Sequence, residues 1–389
     1  MKKMYKDVVA WMEENNDDMI SFWRDLVNIK SYVGEPEDVN NAIDFVKGAF
    51  EAEGFKCSTY EFGEVGHSLK CVYGEDRPGK PIVFSGHVDT VFPRDAFDEN
   101  PFHIENGKAY GPGCLDMKGG IAIALYVCRA LIALGYDKSP LKVLLSGNEE
   151  NAHLGSNAHE LFLNEAGGAL CAFNMETGVP GGTVCVGRKG RLAADLVVTG
   201  RESHAGNNFE AGRSAIEEMA HKILAIQALT DLSIGTTANV GVINGGTVVN
   251  AIPENCSIGI DMRFTVYDEM DRLKAELQKI ADENHVPDVT SSLTFTSVMP
   301  SYETNEDVNR FYDFVVDIAK EYELTVPGHV YLGGSSDASW IQRAGVPVIC
   351  SFGVCGEWNH TKREYAIVDS MLERAKLISA CILEQERFV

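Results

Sequence analysis

Histidines, aspartates and glutamates recur in this chain at spacings that could hold a metal and drive hydrolysis. The stretch Ile82-Val83-Phe84-Ser85-Gly86-His87-Val88-Asp89-Thr90 is an apolar, strand-like run that ends in a histidine and an aspartate two residues apart. On an extended backbone that spacing puts both side chains on one face. Neutral imidazole is a common zinc ligand, and a carboxylate two places on can hold its other ring nitrogen. Alone, His-x-Asp more often marks a satisfied core histidine. Its company changes the reading. Asp116 lies in Gly111-Pro112-Gly113-Cys114-Leu115-Asp116-Met117-Lys118-Gly119-Gly120, a tight loop before an apolar run. Glu149 and Glu150 follow the run Leu141–Ser146, Glu176 follows Ala169–Asn174, and His360 follows Val346–Phe352. Singly, Asp116 reads as a helix cap and the glutamates as solvated turns. Together they form a set of oxygen and nitrogen donors without thiolates, which suits zinc, manganese or cobalt.

The elements that must position them follow from periodicity. Tyr5–Ile29 and Glu37–Glu53 read as amphipathic helices, the second stopped by Gly54. Phe55–Phe62, Leu69–Tyr73 and Pro81–Ser85 read as strands, and Ile121–Leu134 as an apolar helix ending at Gly135. Strands alternating with helices imply an α/β fold with a mainly parallel sheet flanked by helices. Such sheets bind ligands beyond the carboxyl ends of their strands. His87, Asp89, Glu149, Glu150, Glu176 and His360 all sit just past a strand-like run.

The middle of the chain has another rhythm. Arg191–Gly200, Thr236–Ile243, Cys256–Phe264 and Val289–Val298 read as strands, with helices over Gly212–Leu229 and Tyr267–Asn284. The order β-α-β-β-α-β is the ferredoxin-like unit. It predicts an inserted domain over 187–298, within a catalytic domain made of 1–186 plus 299–389.

Composition excludes several classes. The chain has 389 residues, 45% of them apolar and 23% charged, with a formal net charge of −23. That charge opposes nucleic acid and anionic membranes as partners. Met1–Ile20 carries charges throughout and has no secretory apolar core, which points to the cytoplasm. The ten cysteines show no Cys-x-x-Cys spacing and are expected to be reduced core thiols, neither disulfides nor zinc ligands. No phosphate loop is present, which argues against a nucleotide-binding enzyme.

Two histidines and three carboxylates suffice for two metals if one carboxylate bridges. A metal pair ~3.5 Å apart polarises a carbonyl and acidifies water, and a glutamate that is not a ligand can take the proton. Spacing alone leaves open which of Glu149 and Glu150 does which.

The blocks around His87 and Asp89, around Asp116, Asn148-Glu149-Glu150, and Met175-Glu176-Thr177 resemble, in order, the metal-site blocks of the zinc aminoacylase/carboxypeptidase family. Acetylornithine deacetylase, succinyl-diaminopimelate desuccinylase, bacterial glutamate carboxypeptidase and several dipeptidases belong to it. The resemblance implies two Zn2+, with Co2+ or Mn2+ as substitutes. Asp116 would bridge them. His87 and Glu176 would complete one site, and Glu150 and His360 the other. Glu149 would be the general base, and Asp89 would orient His87. The inserted domain would be a lid and a homodimer interface. Within it, His204 would reach the carbonyl oxygen in the transition state, and Asn250 and Arg263 would hold a substrate carboxylate. Gly334 belongs to a glycine loop, Gly333–Ala338, that would lie beside the site.

Glu176, where some relatives carry aspartate, goes with carboxypeptidases and N-deacylases of the family. The expected reaction is cleavage of an amide ahead of a C-terminal residue with a free carboxylate, on a small peptide or N-acyl amino acid. An N-acyl-amino-acid deacylase is the competing reading, and a non-catalytic metal- or substrate-binding protein a remote one. Arg213 departs from the lid block and is a candidate second carboxylate anchor.

Overall fold

The computed structural model describes residues 2–388. The chain divides into two compact units, one of 1–187, 304–331 and 336–389, the other of 188–303 with 332–335. The Gly333-Gly334 turn therefore belongs to the inserted unit.

The first unit is built on a six-stranded sheet. Its central strand, Ile82–His87, runs parallel to Leu141–Ser146 on one side and to Cys171–Asn174 on the other. Val348–Ile349 extends the parallel part beyond Cys171–Asn174. Ser68–Tyr73 and Lys56–Tyr60 add two antiparallel strands at the opposite edge. Every residue of Ile82–His87 is buried, the pattern of a strand covered on both faces. The covering helix Gly119–Ala133 is apolar almost all round and buried over most of its length. Gly120 at its start cannot be another residue. A Cβ there would lie 2.0 Å from the Met175 carbonyl oxygen, so the close approach of helix and strand end requires glycine.

Two expectations differ from the structure. The predicted helix over Tyr5–Ile29 is two helices, Lys2–Glu14 and Asn16–Asn28. At the break, the Asn15 side chain donates to the Trp11 carbonyl at 2.8 Å, the local competition that makes asparagine a poor helix-interior residue. The expectation of ten reduced cysteines is corrected too. Cys57 and Cys71 form a disulfide. They are directly opposed on antiparallel strands, a closeness that no Cys-x-x-Cys spacing announces. The other eight cysteines are buried and form no disulfide.

The inserted unit is a four-stranded antiparallel sheet in the order Thr237–Gly245, Asn255–Phe264, Gly190–Thr199, Thr290–Met299. The helices Ala215–Gln227 and Tyr267–Asp282 share its core. This is the ferredoxin-like arrangement. Among the described residues no helix is long and apolar enough to cross a membrane.

Candidate metal centre

Five elements of the first unit converge on one cluster. His87 closes the central strand, with its side chain buried. Its Nδ1 faces the Asp89 backbone carbonyl at 3.0 Å and Asp89 Oδ1 at 3.4 Å. Two acceptors on that side place the ring proton on Nδ1 and leave the Nε2 lone pair free. Nε2 is buried and makes no hydrogen bond. Around it stand Glu176 Oε1 at 3.3 Å, Asp116 Oδ1 at 3.4 Å and Glu149 Oε2 at 3.9 Å.

Asp116 lies in a tight turn, Cys114–Lys118, that feeds the buried helix. Its second oxygen, Oδ2, is 3.2 Å from His360 Nε2, which is itself 3.0 Å from Glu150 Oε2. One carboxylate thus serves two groups, His87 with Glu176 and His360 with Glu150. Asp89 joins them from behind, because its Oδ2 accepts the Glu150 backbone N–H at 2.9 Å.

The electrostatics point the same way. Burial pushes the Glu149 carboxyl well above the usual range, with the neighbouring Glu176, Asp337 and Glu150 charges adding to it. Glu150 is raised to about 7, by burial first and then by Asp116. His87 is raised although burial opposes its charge, because the carboxylates of Glu176, Asp116 and Asp89 outweigh that burial. His360 is pushed up to about 11 by Asp116 and Glu150. Negative charge this concentrated and this dry calls for cations. An orphaned, buried imidazole nitrogen among carboxylate oxygens fits a divalent metal, and the donor set without sulfur suits zinc, cobalt or manganese.

Three neighbours went unassigned in the sequence. Asn359 Nδ2 donates to Asp116 Oδ2 at 3.0 Å. The Glu364 carboxylate accepts the N–H groups of Leu115 at 2.8 Å and Asp116 at 3.0 Å. His153 makes a buried contact of 2.6 Å with Asp337. Their signal was only closeness in sequence to His360 or Glu150, which does not separate them from ordinary polar residues.

The profile of peptidase family M20/M25/M40 matches residues 83–384, a span that holds every residue of this cluster. The chain belongs to that family. Carboxypeptidase G2 of Pseudomonas sp. (strain RS-16) is 27% identical over 369 residues, covering 92% of this chain and 87% of that protein. A succinyl-diaminopimelate desuccinylase of Rickettsia bellii is 26% identical over 378 residues, covering 89% and 92%. Among solved structures, aminopeptidase PepT from Bacillus cereus superposes with a TM-score of 0.77 at 21% identity, over 96% of this chain and 99% of that one. An M20 family metallo-carboxypeptidase from Sulfolobus solfataricus gives 0.72 at 17% identity, over 93% and 98%. This M20 protein is accordingly a metal-dependent hydrolase of the metallopeptidase or deacylase kind.

The remaining predicted residues of this M20 chain all lie in the inserted unit. His204 is exposed, and its Nδ1 accepts the N–H groups of Gly206 at 3.1 Å and Asn207 at 3.0 Å. The ring proton therefore sits on Nε2, which is left as a donor. His204 pairs with Ala251, next to exposed Asn250. Arg263 forks onto Asp261 at 2.7 and 3.1 Å, while its Nη1 approaches the Gly333 carbonyl at 3.4 Å. The Gly334 carbonyl accepts from Arg188 at 3.2 Å. Arg213 is already engaged, by Asp288 at 3.1 Å and by the Gly212 carbonyl at 2.7 Å. That pairing competes with a role as a second substrate anchor.

Proposed function

We infer that this protein is a carboxypeptidase-type hydrolase, cleaving the amide bond ahead of a C-terminal residue that bears a free α-carboxylate. The observation that carries this reading is the two-sided use of Asp116, with His87 at one oxygen and His360 at the other. His87, Asp116 and Glu176 would hold one zinc ion, and Asp116, Glu150 and His360 a second. Cobalt or manganese could stand in. Bound there, the ions would polarise the scissile carbonyl and acidify water.

The rest falls to the chain's own groups. Glu149 has an oxygen beside the His87 nitrogen but is not needed to complete either ligand set. Its raised affinity for a proton suits a base that accepts a proton from water and passes it to the departing amine. Asp89 fixes the His87 tautomer and ties down the backbone of Glu150. The Nε2–H of His204 is a donor for the carbonyl oxygen as it gains charge. Arg263, with Asn250 and the backbone at Gly334, would hold the α-carboxylate, for which a guanidinium fork is well shaped. We also infer a homodimer through the inserted unit.

The test is a panel of dipeptides and N-acyl amino acids assayed with zinc, with cobalt and with chelator. Dipeptides and longer peptides losing their C-terminal residue, with activity abolished by chelator, support the reading. Turnover of N-acetyl or N-succinyl amino acids alone would make the protein a deacylase, in line with its desuccinylase relatives. Tight metal binding with no turnover of any substrate would leave a binding protein.

A further inference from the structure

The first unit carries a concavity whose lining includes none of the residues of the metal cluster. Four short strands, Gly356–Glu357, Tyr365–Ile367, Lys108–Tyr110 and His103–Glu105, form a small sheet in that order. His103 is directly opposite Tyr110, and Tyr110 is directly opposite Tyr365. Directly opposed residues share a face, so three rings run in a row across three strands. The His103 and Tyr110 rings stack with centroids 5.1 Å apart and planes within 14°. Tyr110 and Tyr365 follow at 6.2 Å. Phe97 and Trp358 complete the walls of a concavity of about 480 Å³, a size suited to a small molecule.

Its charge is the reverse of the chain's. Against a net charge of −23, the concavity is lined by Lys108, Lys362 and Arg363 and by no acidic residue. Lys108 Nζ stands 3.8 Å from the Tyr365 ring centre, and the Arg363 guanidinium 4.0 Å from that of Trp358. Among the described residues none of the three cations has a carboxylate partner. Two acids come near in register: Glu105 is directly opposite Lys108 but makes no ion pair with it, and Glu357, opposite Tyr365, is taken by the Tyr365 hydroxyl at 2.6 Å. Three cations with no carboxylate in ion-pair contact, spread over aromatic faces, favour a ligand that is both anionic and flat. Its charge would meet the ammonium or guanidinium groups, and its ring would stack on the wall.

We propose that this concavity binds small aromatic carboxylates. The site is built on the strands that lead into the loops of Asp116 and His360, and Trp358 is two residues from His360. The aryl carboxylate could be part of a substrate or a free effector, and the chemistry is the same.

The test uses the metal-loaded protein and calorimetric titration with 2-naphthoate. Two controls separate its features: cyclohexanecarboxylate has the charge without the ring, and 2-naphthamide has the ring without the charge. Saturable one-to-one binding of 2-naphthoate is expected, at least tenfold tighter than either control and weakened by salt. Lys108→Ala with Arg363→Ala should weaken it at least tenfold with an unchanged thermal melt, since Arg363 is exposed, Lys108 is only partly buried, and neither holds an ion pair. His87→Ala, which cuts the metal cluster, should leave it intact. The pattern of inhibition separates the two sources: competitive for a substrate portion, non-competitive for an effector, and either supports the site. Absence of binding, equal binding of the controls, or loss in His87→Ala without loss in the double variant would overturn the proposal. The last outcome would mean that the carboxylate is read by the metals, which leaves the hydrolase reading standing.

Discussion

The buried carboxylate of Glu364 accepts the backbone N–H of Asp116 at 3.0 Å, across 248 residues of sequence. Glu364 is four residues beyond His360, so one loop supplies both a group facing Asp116 Oδ2 and the brace behind Asp116. Burial raises the Glu364 carboxyl to about 8, the Asp116 charge adding to it, while the N–H groups pull the other way. Glu364→Gln would turn one acceptor into a donor facing N–H groups. The expected result is about 10–100-fold weaker metal binding, the usual cost of removing a group that orients a ligand. Competition with a chelator measures it. An unchanged affinity would make Glu364 merely structural.

Glu149 should separate chemistry from metal binding. Glu149→Ala is expected to lower kcat by about 10²–10⁴-fold, the usual contribution of a positioned base. Metal content, measured by elemental analysis, should stay at the wild-type level. Loss of metal together with activity would reassign Glu149 as a ligand.

The inserted unit carries its own acid-sensitive splint. Glu218 accepts the N–H groups of His285 at 2.8 Å and Val286 at 2.7 Å, and pairs with Lys222 at 3.1 Å. Lys222 in turn donates to the carbonyls of Ile280 at 2.7 Å and Ala281 at 3.1 Å, closing the end of the helix Tyr267–Asp282. Burial works to raise the Glu218 pKa, but these partners outweigh it and hold the carboxyl below its ordinary 4.5. A lowered carboxyl stabilises the fold at pH above the unfolded value, and that stability is lost as pH falls through the folded one. Glu218→Gln should therefore cost about 3 kcal/mol at pH 7, with the difference in melting temperature shrinking toward pH 3. A gap independent of pH would show that the charge is immaterial.

The proposed dimer has a visible candidate surface. Thr237–Gly245 is an edge strand, with Val242 and Ile243 more than half exposed. Edges of this kind pair with other chains unless protected. Sedimentation at micromolar concentration should give a dimer, and Val242→Lys should shift it toward monomer. A monomer at every concentration would refute the interface.

The sequence by itself determined the alternation of strands and helices, and with it a sheet edge at which His87, Glu149, Glu150 and Glu176 had to gather. Hydrophobic period and chain order are local properties, so a single chain displays them. The ferredoxin-like order of the inserted unit was legible for the same reason. Only the tertiary structure decided which oxygen of Asp116 faces His87 and which faces His360, because that depends on where a distant loop returns. The disulfide of Cys57 with Cys71, the brace of Glu364 and the row of His103, Tyr110 and Tyr365 were likewise invisible. Each depends on strand register or on a fold-back between segments, and those follow from packing the whole chain, not from any window of it.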